Sequence, residues 1–138
     1  MSPEPALRLM LRFFGTMSLL AIPFIFVPYS VMDDIHQQLQ LGKLPDEPIV
    51  GYLARSLSAF YALVGALFWK ISFDLRRYQS LLIYLCGALT LLGGTLCFID
   101  WWEGLPTVWR LWEGPFIIIA ASAMLSLSRR IVPSKNLV

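Results

Sequence analysis

The sequence predicts an all-α fold, an integral membrane four-helix bundle forming one transmembrane domain over residues 1–138. Three observations carry this. Of 138 residues 57% are hydrophobic and only 14% are charged, with a mean hydropathy of +0.66; a soluble domain is about 25% charged. Two uncharged apolar runs are each long enough to cross a bilayer, and four spans place most of the basic residues on one side. Lipid satisfies no backbone hydrogen bonds, so helices are expected rather than open sheet. The composition excludes a disordered chain and a disulfide scaffold. A net charge of +2 from scattered bases builds no nucleic-acid groove.

A crossing helix needs about 20 apolar residues at about 1.5 Å each. The first span is expected at 13–32 and the third at 78–99, runs of 20 and 22 residues without a charge. The second, 50–69, carries Arg55 near its start; the fourth, 107–128, carries Arg110 and Glu113. Either could be a core helix in a soluble protein, but this chain has no polar layer to surround one. Three spans is the competing count. Arg8 and Arg12 ahead of the first run resemble the start of a signal peptide. That run exceeds a signal's apolar region and no small-x-small site precedes Asp33, so a retained anchor is expected. Pro23 and Pro28 each remove a backbone hydrogen bond and are expected to kink this span.

The connections follow. Residues 33–49 read as a polar turn with a short helix from Asp33 to Leu41, ended by Gly42 and Pro45. Residues 70–77 form a tight link, and Gly104 with Pro106 predicts a turn between the last two spans.

Four spans put both termini on one side with Arg8, Arg12, Lys70, Arg76, Arg77, Arg129, Arg130 and Lys135. Bases are retained in the cytoplasm during insertion, so an inner-membrane protein with both termini cytoplasmic is expected. Tyr29, Tyr52, Trp101, Trp102, Trp109 and Trp112 mark the outer boundary, and Trp69 and Tyr78 the inner one. Amphipathic rings prefer that depth.

Arg55 is the residue that most needs a reason. A cation inside a span costs about 2.5–3.5 kcal/mol on insertion scales, so it must face protein, a wet cavity or a headgroup. Counted from the cytoplasmic boundary, Arg55 and Glu113 both stand roughly 22 Å up their helices. Equal depth allows an ion pair that fixes register, or a ligand contact with Trp109 and Trp112 nearby. Headgroup snorkelling of Arg55 is the third possibility. Ser58, Ala59, Ala62, Gly65 and Ala66 form a small-residue stripe after Arg55; Cys86, Thr90, Gly94 and Cys97 form one on the third span, with Glu113, Ala120, Ala121 and Met124 on the fourth. Such stripes are expected to be helix interfaces. Cys86 and Cys97 share a face but lie about 16 Å apart along the axis, too far for a disulfide. His36 is the one histidine, and no metal site, phosphate loop or catalytic triad is legible.

An Arg opening span two before small residues (ARSLSAFYALVGALFW), a short basic turn, a Gly-rich third span and a Glu opening span four (WEGPF) resemble the small bacterial four-helix membrane proteins grouped around DoxX. The resemblance covers residues 50–125 and carries over Arg55 and Glu113 as shared intramembrane charges. Some members of that group are associated with quinone-linked sulfur oxidation or redox homeostasis. It therefore implies a quinone as the one cofactor to consider. The tryptophan-rich outer turn and residues 33–49 have no counterpart in it.

Two functions are expected from these features. The first is a non-enzymatic helical subunit or accessory of a membrane complex, its partners being the bilayer, other membrane subunits or a second copy of itself. The second is a quinone- or lipid-binding module with an outer pocket at Arg55, Glu113, Trp109 and Trp112. A transporter is disfavoured by size.

Overall fold

The computed structural model describes residues 3–131 and is all-α. In order come α1 (Glu4–Leu19), a 3-10 turn (Ile22–Ile25), α2 (Tyr29–Gln38), α3 (Pro48–Phe73), α4 (Gln79–Trp102) and α5 (Thr107–Arg129). Four stretches are long and apolar enough to cross a membrane: Glu4–Ile25, Pro48–Phe73, Gln79–Trp102 and Thr107–Arg129. The all-α, four-helix class is thus what the structure shows. Lys135, counted above among the cytoplasmic bases, lies outside the described residues.

The first crossing stretch differs from the expected 13–32. Its helix starts at Glu4, and the chain leaves helical geometry before Pro28. Both shifts have simple causes. Apolarity marks where lipid is, not where a helix starts, so Arg8 and Arg12 lie within α1 rather than ahead of it. Pro23 and Pro28 lack an N–H and restrict the residue before them, so the proline segment unwinds into a 3-10 turn and a break.

The short helix also starts earlier than expected, at Tyr29, because Pro28 serves as its N-cap. It ends at Gln38 rather than Leu41. Gln40 takes the left-handed conformation (φ 62°), and Leu41 N–H donates to the His36 carbonyl at 3.1 Å, the Schellman pattern. The α4–α5 turn closes the same way with a glycine: Gly104 has φ 68°, and Leu105 N–H reaches the Asp100 carbonyl at 3.0 Å.

The chain divides into two compact units, residues 12–69 and residues 3–11 with 70–131. In the second unit Leu7, Leu11, Ile71, Leu75, Leu82, Cys86, Ala121, Met124 and Ile131 are buried, and an exposed Glu4–Arg76 ion pair spans 2.9 Å. Helices α4 and α5 run antiparallel, with Gln79 at the start of α4 beside the end of α5 and Gly93 against Gly114. The buried face of α4 runs through Gln79, Leu82, Cys86, Gly93 and Asp100.

This corrects the expected third-span stripe by one residue. Gly94 is exposed, and a Cβ on it would meet nothing within 4 Å. From Cys86 the buried heptad lands on Gly93. Two adjacent glycines gave composition no way to choose.

In the unit of residues 12–69, α1 and α3 approach at Gly15 and Gly65, where a Cβ on Gly65 would stand 2.7 Å from the Gly15 carbonyl oxygen. Arg12 places its guanidinium 5.2 Å from the Trp69 ring centre. Of the expected α3 stripe, Gly65 is buried and Ser58 and Ala62 are half-buried, whereas Ala59 and Ala66 are exposed.

Candidate functional site

Arg55 sits in the second turn of α3, half-buried, and donates from a terminal guanidinium nitrogen to the Val27 carbonyl at 3.1 Å. Val27 precedes Pro28, in the break between the 3-10 turn and α2. The next turn's amides, Val31 and Met32, donate to Pro28 instead. Arg55 therefore supplies a donor to a carbonyl that the proline break removes from the helical ladder.

The loop after α2 is held by side chains. Tyr29 Oη lies 2.7 Å from the Leu44 carbonyl and 2.6 Å from that of Pro45, so its hydroxyl donates to this pair. Asp33 accepts from Leu44 N–H at 2.7 Å and from Gln37 at 2.9 Å, and His36 Nδ1 lies 2.8 Å from the Gly42 carbonyl oxygen. Half-burial together with the charges of Asp46 and Asp33 raises the Tyr29 phenol above its ordinary value. His36 and Asp33 are thereby occupied with backbone.

Glu113 belongs to the other unit, two turns into α5 and half-buried. The α4–α5 end carries four more polar or aromatic groups. Asp100 is 2% exposed, and its Oδ2 has no hydrogen-bond partner. Arg110 lays its guanidinium 5.3 Å from the Trp101 ring centre and reaches Thr107 Oγ1 at 3.4 Å, while its buried Nε has no acceptor. Trp109 is half-buried, and Trp112 is exposed and stacked on Phe116 at 5.4 Å.

The register places these groups together. Gly114 packs on Gly93 and Cys97, and in an antiparallel pair the turn after Cys97 on α4, which holds Asp100, faces the turn before Gly114 on α5, which holds Arg110 and Glu113. In the expected layout Asp100 falls just past the third span at 78–99, in the connection to the fourth. Its spacing from Cys86 and Gly93, fourteen and seven residues, would have put it on the buried face.

Among the described residues no cluster of three or more His, Cys, Asp or Glu could hold a metal ion. Cys86 is buried and Cys97 half-buried, both as free thiols. No protein-family model, curated protein or solved structure matches this chain.

Proposed function

We propose that this protein is a small multi-pass inner-membrane protein, with both termini cytoplasmic, that serves as a non-enzymatic helical subunit or accessory of a membrane complex. One observation carries the reading: α4 has a second small-residue face, at Gly87 and Gly94, that the described residues leave open. Its Gly93 face is closed by α5, whereas Cβ atoms built on Gly87 and Gly94 would meet nothing within 4 Å. Glycines seven residues apart recur on one helix face. In lipid, small residues stabilise a helix chiefly by letting another backbone approach. Arg55 fits this reading, since its hydrogen bond to Val27 is a structural duty.

The test is native electrophoresis of gently solubilised membranes. The protein is expected in a species larger than itself, and Gly87→Leu with Gly94→Leu should release it as a folded monomer. A wild-type protein that already runs as a monomer would overturn the proposal. A periplasmic label reaching a cysteine at Asp46, but not one at Arg77, is the expected topology result.

A second reading, a quinone- or lipid-binding module within the DoxX-like group, is favoured by one different observation. Asp100 and Glu113 carry charge into the α4–α5 end without a base of either helix paired to them.

A further inference from the structure

The ends of α4 and α5 away from their shared turn are basic, and the bases are nearly all of one kind. Lys70, Arg76 and Arg77 lie at the α3–α4 turn, Arg129 and Arg130 at the end of α5, and Arg8 in the second turn of α1; all six are exposed. Two contacts gather them. Arg76 pairs with Glu4 at 2.9 Å, which brings the start of α1 to the α3–α4 turn. Gln79 donates to the Ser128 and Ile131 carbonyls, both at 2.8 Å, which brings the end of α5 to the start of α4. Only two acids stand here among the described residues, and both are engaged. Glu4 is held by Arg76, and Asp74 accepts from the Arg77 N–H at 3.1 Å.

Retention of bases during insertion asks only for positive charge, and lysine serves it as well as arginine. It explains neither why five of these six are arginine nor why Arg77, Arg129 and Arg130 form no ion pair among the described residues. A guanidinium presents a planar fork that takes two phosphate oxygens at once. Depth gives the source of the phosphate. Arg129 closes one crossing helix and Arg77 stands two residues before another, so both lie where headgroups begin. Arg77 also rests 5.7 Å from the ring centre of Tyr78, a side chain suited to that depth. A guanidinium lying on a ring face keeps its N–H edge free to donate. Gln79 removes an obstacle, because carbonyl oxygens at the end of a helix repel an anion. Those of Ser128 and Ile131, which flank Arg129 and Arg130, accept from its buried amide.

We propose that the α3–α4 turn and the end of α5 together hold a phospholipid headgroup with two phosphates, one facing Arg77 and the other Arg129 and Arg130. A single phosphodiester brings one negative charge to three guanidiniums, whereas two linked phosphates match two arginine groups whose spacing Gln79 fixes. Basic residues between crossing helices at headgroup level are the chemistry such lipids meet. The inference needs only that α4 and α5 cross a membrane. It is independent of both readings above and of the side on which this end lies.

Native mass spectrometry of the full chain tests it, with equal amounts of diphosphatidylglycerol and the same lipid methylated on one phosphate, so that the acyl chains are identical. The wild type should retain the unmodified lipid about tenfold over the methylated one, the effect of one charge-assisted contact. Arg77→Gln, Arg129→Gln and Arg130→Gln combined should bring the two to parity while the circular dichroism spectrum is kept. Lys43→Gln, in the exposed loop before α3, should leave the preference intact. Equal retention of the two lipids by the wild type overturns the proposal whether or not the variants fold. A folded glutamine variant that keeps the preference overturns it as well. So does a Lys43→Gln protein that loses the preference, because overall charge would then be the cause. Displacement of the lipid by pyrophosphate or by an acidic peptide of matched charge also overturns it, the occupant then being a soluble anion or a protein segment.

Discussion

Gly114 is packed on α4 so closely that a Cβ there would stand 2.7 Å from the Gly93 carbonyl oxygen and run into Cys97 Sγ. The contact is mutual, since a Cβ on Gly93 would lie 2.9 Å from the Gly114 carbonyl oxygen. Two helices thus meet backbone to backbone. This one contact sets their register and carries Asp100 to the level of Arg110 and Glu113.

Alanine at either glycine should therefore loosen the pair. Gly114→Ala meets backbone atoms of Gly93 and Cys97, which yield only if a helix moves; overpacking of this kind costs about 1–3 kcal/mol. Gly94→Ala meets nothing within the chain, so in the isolated monomer it should be neutral or slightly stabilising, because alanine is the better helix former. Thermal denaturation in one detergent checks all three variants, Gly93→Ala included. A Gly94→Ala protein that melts as early as Gly114→Ala would refute the register.

Hydropathy made the four crossing helices legible, because nothing but lipid suits 57% hydrophobic residues. It could not place the start of α1, since Arg8 and Arg12 interrupt apolarity without interrupting helix geometry. Nor could it separate Gly93 from Gly94. Arg55 and Glu113 stood out as charges in apolar runs, whereas Asp100 was hidden at the end of one, where a solvated acid is the commoner case. What Arg55 binds was not legible at all. Its acceptor is a carbonyl 28 residues away, and main-chain acceptors carry no sequence signal.

Removing the Arg55 head group should leave the Val27 carbonyl short of a donor. Arg55→Met is expected to cost about 1–3 kcal/mol, the range for a buried group left unsatisfied. Arg55→Lys should recover part of that, because an ammonium can still donate. Hydrogen exchange should report faster opening of residues 22–32 in the methionine variant. Exchange unchanged from wild type would mean the guanidinium contributes nothing to the break.

The tether of the loop to Tyr29 should fail in alkali. Half-burial, Asp46 and Asp33 all raise the phenol above its ordinary value of about 10. Only the neutral phenol can donate to the Leu44 and Pro45 carbonyls. A group raised on folding contributes stability that is complete below its unfolded pKa and lost as pH rises through the folded one. Proteolysis within residues 39–47 should therefore accelerate only above about pH 10 in wild type. In Tyr29→Phe it should be fast and free of that step. Identical profiles would show that the hydroxyl does not hold the loop.

Gln79 should hold the far end of the same helix pair. Its side chain is buried, and its amide donates to the Ser128 and Ile131 carbonyls, both at 2.8 Å. Helix α5 ends at Arg129; the Ser128 carbonyl also accepts from Ile131 N–H at 3.2 Å, and the Ile131 carbonyl lies just past the C-cap Arg130. One amide nitrogen carries two protons and can satisfy both. Gln79→Leu keeps the apolar bulk but takes one donor from each carbonyl; Ser128 keeps its bond from Ile131 N–H, so the cost is about 1–3 kcal/mol for the Ile131 carbonyl where it stays buried. Gln79→Glu keeps the shape and reverses the chemistry, setting a carboxylate against two carbonyl oxygens, and should be worse than leucine. Amide exchange at residues 125–131 should rise in both variants while exchange around Gly93 and Gly114 stays slow. If the whole pair opened together, Gln79 would be part of the α4–α5 packing itself rather than a cap on the end of α5.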